Sequence, residues 1–241
     1  MSPDIIALYK SNKTSEDKFK ELKLNLETYF DEDTILFIDE IQECEELIQE
    51  LKFFCEKKNY VRIICAGSLL GVKLGRMTSS LPVGKVKLIN MYPMDFEEFL
   101  WATNNNMLAE EIRNCYKILK PIGESLHAKA INLYKSFQIV GGMPKYVFDF
   151  VRNNQDYIKL DQSILEDIKS EYYNDFKKHY TNKNDSLKIE ETYKSIPSQL
   201  SNESNKFQYS KIKKGGRTKD YESIIDWLED ANLVNVSYRI N

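Results

Sequence analysis

The sequence predicts an α/β fold, and three observations carry that reading. Two short apolar runs, Thr34-Ile-Leu-Phe-Ile38 and Val61 to Ala66, flank one amphipathic stretch from Glu43 to Lys58. Neither run alternates, as expected of strands buried on both faces of a parallel sheet. After Tyr92-Pro93 the strand pattern stops and helical periodicity takes over. Residues 1–102 therefore read as α/β and the remainder as all-α.

Taken in order, residues 1–13 read as short and polar. Residues 14–30 place Phe19, Leu22, Leu26 and Phe30 on one helical stripe, with Thr14 or Ser15 as N-cap. The first strand ends in Asp39-Glu40. The following helix turns Leu47, Ile48, Leu51, Phe54 and Cys55 inward, and the second strand is stopped by Gly67. A third strand is expected at Lys85–Asn90. Asp95 then caps a helix whose apolar face is Phe96, Phe99, Leu100 and Trp101. Helical patterns follow at 107–120, 124–140, 144–153 and 156–180, interrupted by Gly141-Gly142-Met143-Pro144, with Gly closing one helix and Pro opening the next. Three short helices are expected at 187–201, 208–214 and 217–232. The linker-like stretch Thr181 to Ser186 sets one boundary near 185, and the change of pattern sets another near 102.

Composition narrows the function. Of 241 residues, 42% are hydrophobic and 29% charged, enough apolar surface to fill a core. The net charge of −3 offers no bulk electrostatic case for nucleic acid. No run approaches the ~18 apolar residues of a membrane span, so no membrane partner is expected. The start, MSPDIIALYK, is too polar for a signal peptide, which points to a cytoplasmic protein. Cys44, Cys55, Cys65 and Cys115 lack C-x-x-C spacing, and His127 and His179 stand alone. These spacings argue against a zinc site and a disulfide framework. Cys44 and Cys55, eleven apart, share nearly one helical face and read as small buried hydrophobes.

The strongest local signal is Thr34-Ile-Leu-Phe-Ile-Asp-Glu-Ile-Gln42. An apolar strand ending in two acids puts both carboxylates at the carboxyl edge of a parallel sheet, where open α/β sheets bind ligands. In a nucleoside triphosphatase the first acid positions Mg²⁺ and the second polarises the attacking water. The bland alternative is two acids that open a helix and favour its dipole. The second signal is Gly67-Ser68-Leu69-Leu70-Gly71 at the tip of the next strand. A small polar residue there can sense a terminal phosphate, although Gly also makes a plain turn cheaply. Together, on consecutive strands, the two signals favour a nucleotide.

These motifs and their order, TILFIDEIQ … AGSLLGVKLG … SSLPVGKVKLINMYPMDFEEFL … VGGMPKYV … IPSQL … KFQYSKIKKGGRTKDYE … WLEDANLV, resemble a prokaryotic group of AAA+ P-loop ATPases over residues 30–236. In that group the ATPase core is followed by a helical lid, a winged-helix-like segment and a C-terminal domain of unknown function that looks nuclease-related. The resemblance implies a partial parallel P-loop sheet carrying the Walker B and sensor strands over 1–102. It further implies a lid over 103–185 and a truncated winged-helix-like segment over 186–241. It makes Asp39 the Mg²⁺ ligand, Glu40 the water-activating base and Ser68 the γ-phosphate sensor, with ATP and Mg²⁺ as cofactors. Arg76 and Lys85 lie where a basic residue could meet phosphate, but neither matches an arginine finger.

One departure is large. The phosphate-binding loop, Gly-x-x-x-x-Gly-Lys followed by Ser or Thr, occurs nowhere in the 241 residues. Gly84-Lys85 is followed by Val86, and Gly67, Gly71 and Gly75 lack a following lysine and hydroxyl. Without the loop no backbone cradle or lysine faces the β- and γ-phosphates. The expectation is the middle of a longer, split or decayed protein that does not hydrolyse ATP alone. A sheet missing its neighbouring strand should be weakly stable or self-associate through the gap. The rival reading is a non-catalytic interaction or DNA-binding module on a decayed ATPase scaffold. For DNA, Lys206, Lys211, Lys213, Lys214, Arg217 and Lys219 form an acid-free run. Against it, Asp220, Glu222, Asp226, Glu229 and Asp230 line the next helix and oppose phosphate, so a structural or inter-domain role is the stronger expectation. That helix should bury Ile224, Ile225 and Leu228 and expose Asp226 and Glu229.

Overall fold

In a computed structural model, which describes residues 2–67, 84–179, 183–202, 206–213 and 215–237, the chain opens with helix, where the sequence reads short and polar. Helix α1 (Pro3–Lys10) starts on a proline at its first turn, carries Asp4 there and Lys10 in its last turn, and buries Leu8 and Tyr9. Helix α2 (Ser15–Asn25) is capped by Thr14, whose hydroxyl accepts the Asp17 N–H at 3.2 Å. The first apolar run becomes strand β1 (Ile35–Ile38). A 3-10 turn at Ile41–Glu43 then leads into helix α3 (Glu45–Lys57), and the second run becomes β2 (Arg62–Cys65).

β1 and β2 pair in parallel, Ile35 opposite Arg62 and Ile38 opposite Cys65, and α3 makes the crossover. Among the described residues these two strands form the sheet. Leu36, Ile38 and Ile63 point toward Leu8, Phe19, Leu22, Leu47 and Phe54 of the three helices. Ile38, Ile63 and Cys65 also meet Ile41, Ile48 and Leu51. Burial on both faces does not hold. On the opposite face Ile35 is 54%, Phe37 60% and Ile64 52% exposed. An apolar run therefore specified a strand here without specifying a cover for both sides.

Two further expectations are corrected. Residues 85–90 are irregular rather than a strand; Val86 packs against the Ile41–Ile48–Leu51 cluster, while Leu88 and Ile89 are exposed. Cys44 is fully buried, but Cys55 is exposed. Cys44 is the residue that joins the 3-10 turn to α3, so its position is set by that turn and not by the 3.6-residue period of the helix.

The described chain divides into two units, Met1–Ile89 with Ser195–Asn241, and Asn90–Lys194. In the second, α4 (Phe96–Ala102) begins with a reciprocal capping box. The Glu98 N–H donates to Asp95 Oδ1 at 2.8 Å and the Asp95 N–H to Glu98 Oε2 at 2.9 Å. Phe99 and Leu100 are buried as expected, whereas Trp101 is half-exposed. Helices α5 (Asn106–Lys117), α6 (Glu124–Val140), α7 (Pro144–Arg152) and α8 (Ser163–His179) follow. The turn between α6 and α7 requires glycine twice. Gly141 closes α6 at φ +76°, and a Cβ on Gly142 would lie 2.2 Å from the Met94 carbonyl. The Met94 N–H donates to the Gly142 carbonyl at 2.8 Å, which ties the approach to α4 onto that turn. Phe99, Val140, Tyr146, Val147 and Phe150 form the core beneath it.

Helix α9 (Lys183–Leu200) begins inside the stretch expected as a linker and continues through Pro197. Of that stretch, residues 181–182 lie outside the described residues. Tyr193 of α9 packs edge-on against Phe176 of α8, with ring centroids 5.6 Å apart. Of the last two expected helices, the first is only a 3-10 turn at Tyr209–Lys211. The second is α10 (Thr218–Asp230), which buries Tyr221, Ile224, Trp227 and Leu228. Ile225 and Glu229 are half-buried and Asp226 is exposed.

Candidate functional site

The carboxyl edge of the sheet is held together by main-chain bonds that continue past the strands. The Ala66 N–H donates to the Ile38 carbonyl at 2.8 Å, and the Ile41 N–H to the Ala66 carbonyl at 3.1 Å. Asp39 and Glu40 are thereby stitched to the turn that follows β2. Parallel pairing makes this obligatory, because consecutive strands joined by one crossover end at the same edge.

The turn has an unusual backbone. Glu40 adopts φ +55°, ψ +44°, a left-handed conformation that non-glycine residues adopt at some cost. Its N–H donates to Asp39 Oδ1 at 3.0 Å. Asp39 is exposed and Glu40 half-buried. The two acids do not open an α-helix, since a 3-10 turn follows and α3 starts only at Glu45. The helix-dipole explanation for this pair is therefore set aside.

Gln42 completes the edge. It is 5% exposed, and its Nε2 donates to Glu40 Oε2. A Cβ on Gly67 would lie 2.2 Å from Gln42 Oε1, so the amide is seated directly on the β2 turn. Gln42 lies within the sequence motif, whose expected roles fall on the two acids. The available signal was an amide set between Ile41 and Glu43 in an otherwise acidic turn.

Ser68, expected as sensor, and Arg76 lie outside the described residues. Lys85 is present, with its Nζ 3.4 Å from Glu56 Oε1 in the last turn of α3. Among the described residues no group of three or more Asp, Glu, His or Cys side chains could hold a metal ion. Burial raises the thiols nearby, Cys65 to about 11 and Cys44 in the same direction, so neither is a thiolate at neutral pH. In the second unit an open hollow of about 460 Å³ is lined by Glu97, Trp101, Asn106, Glu110 and Arg113. It contains none of the residues nominated from sequence.

Lys206, Lys211, Lys213, Arg217 and Lys219 are all exposed, and Lys214 lies outside the described residues. Asp220 turns back to accept the Arg217 N–H at 3.3 Å. Glu222, Asp226 and Asp230 face solvent along α10. No helix among the described residues is long and apolar enough to cross a membrane.

Comparison with known proteins gives two family-model matches. Residues 4–100 match the family model described as an AAA domain, which supports an AAA-like P-loop family for this part of the chain. The match begins at residue 4 and so takes in α1 and α2, whereas the sequence resemblance starts at 30. Residues 131–240 match a domain of unknown function (DUF8612), which runs across the boundary drawn at 185. No curated protein and no solved structure matches the chain.

Proposed function

We propose that residues 4–100 form the acid-bearing half of an AAA-type ATP site, with Asp39 positioning Mg²⁺, Glu40 polarising the attacking water and Ser68 sensing the γ-phosphate. The observation that carries the reading is the Asp39–Glu40 pair on the carboxyl edge of a parallel sheet, bonded to the turn of the next strand within a stretch that matches an AAA domain. One oxygen of the exposed Asp39 accepts the Glu40 N–H, which leaves the other free of that bond. Mg²⁺ commonly takes only one or two protein carboxylates and completes its shell with water and phosphate. The donor set therefore fits a cation shared with a triphosphate, not one caged by protein. When bound there, Mg²⁺ neutralises charge on the phosphate oxygens.

Phosphoryl transfer draws most of its stabilisation from groups that cradle the phosphates, and the Gly-Lys loop that does so is absent from residues 1–241. Asp39 and Glu40 by themselves place negative charge beside a negative ligand. The chain should not turn over ATP until a polypeptide carrying that loop is supplied. Calorimetry with Mg²⁺-ATP and a phosphate-release assay test this. The expected result is no micromolar binding by residues 1–241 alone, and turnover on adding a loop-bearing strand–helix polypeptide, abolished by Glu40→Gln. Failure of the added polypeptide to restore either binding or turnover overturns the proposal.

A further inference from the structure

We infer that Gln42 is a positioning residue that couples the Glu40 carboxylate to the turn after β2. The inference rests on the reading of Glu40 as the water-polarising group and adds how that group is controlled. Three observations carry it. Gln42 is the most buried polar side chain of the Asp39–Gly67 edge, so its amide has little freedom to reorient. One end of that amide, Nε2, donates to Glu40 Oε2. The other end is packed so closely on Gly67 that no side chain fits between them.

Among the described residues the other bonds of Glu40 are to its main chain. Its side chain is half-exposed, its backbone is left-handed, and its N–H is engaged by Asp39. The Gln42 amide is thus a rigid link between the carboxylate and Gly67, the residue immediately before the expected sensor Ser68. A displacement of the β2 turn moves the amide, and the amide moves the carboxylate. A methyl group at position 67 would push Oε1 away and draw Nε2 from Glu40, so the size of this residue sets where the amide sits. A charge-assisted hydrogen bond is strong enough to hold a carboxylate orientation, and it stays directional in a partly buried setting.

The test uses the full 241-residue chain, isotopically labelled, without nucleotide. Glu40→Gln removes the charge from the acceptor. The expected result by NMR is a shift of the Gln42 side-chain amide pair and of the Gly67 backbone amide. The Gly67 shift should be lost when Glu40→Gln is made in a Gln42→Met background. A merely structural glutamine would not make the Gly67 response to Glu40 conditional in this way. A Gly67 resonance that ignores Glu40→Gln, or that responds equally in both backgrounds, overturns the inference. Should Gln42→Met not fold, Gly67→Ala serves instead. It should move the Gln42 amide pair and uncouple it from Glu40→Gln, and an unchanged response overturns the inference. These shifts need no ATP. Their absence leaves the calorimetric test of ATP binding intact, and failed ATP binding leaves the shifts intact.

Discussion

Tyr9 is a buried hydroxyl under strain of solvation. Its ring lies in the α1–α2–α3 core with Phe19 and Phe54, and its Oη has no hydrogen-bond partner among the described residues. Burial, then the Glu50 and Cys44 fields, push its ionisation well above the ordinary tyrosine value. A folded-state value raised in this way contributes stability that is complete below about pH 10 and is lost as pH climbs through the raised value. Tyr9→Phe should therefore be as stable as the parent at neutral pH or gain up to about 1 kcal/mol, because it removes an unsatisfied polar atom at nearly constant shape. It should also flatten the alkaline decline. Urea melts at pH 7 and above pH 10 measure both, and a variant clearly weaker at pH 7 contradicts this account. Burial of Leu47, Ile48, Leu51 and Phe54 was legible from their spacing. The orphan hydroxyl of Tyr9 was not, because nothing in PDIIALYK indicates which polar atom the core will enclose.

Each element follows from local chemistry where the signal is a pattern, and from its neighbours where the signal is only composition. Asp95 with Glu98 is readable as a cap, and α4 starts there. Asp95→Ala should cost the second unit about 1 kcal/mol. Gly142→Ala should cost about 1–3 kcal/mol, since the added methyl meets main chain that cannot rotate away. Denaturant melts of the two variants decide the order, and a harmless Gly142→Ala would show that the Met94 contact gives way. The stretch 85–90 shows the opposite case. Its Val86, Leu88 and Ile89 look strand-like by type, but among the described residues no ladder receives them. A strand exists only when another backbone offers it a register.

Among the described residues the main feature is a two-stranded parallel sheet with one face packed on helices. Parallel sheets are normally covered on both, and here Ile35, Phe37 and Ile64 face solvent together. Exposed apolar patches of this kind favour association. Phe37→Thr with Ile64→Thr should lower the self-association of the chain in light scattering and change its stability by only about 0.5 kcal/mol. Equal association by the parent and the double variant would locate the contact elsewhere.

The sequence by itself determined the two strands, the crossover helix, the placement of Asp39 and Glu40 at a strand end, the Asp95 cap and the Gly-Gly-Met-Pro break. Each of these depends on residue type and spacing over a few positions. Only the tertiary structure decided that Ile35, Phe37 and Ile64 are exposed together and that Cys44 is buried while Cys55 is not. It also decided that Gln42 spans from Glu40 to Gly67. Those outcomes depend on which surfaces from distant parts of the chain meet, and a periodic pattern records that a face is apolar without recording what will cover it.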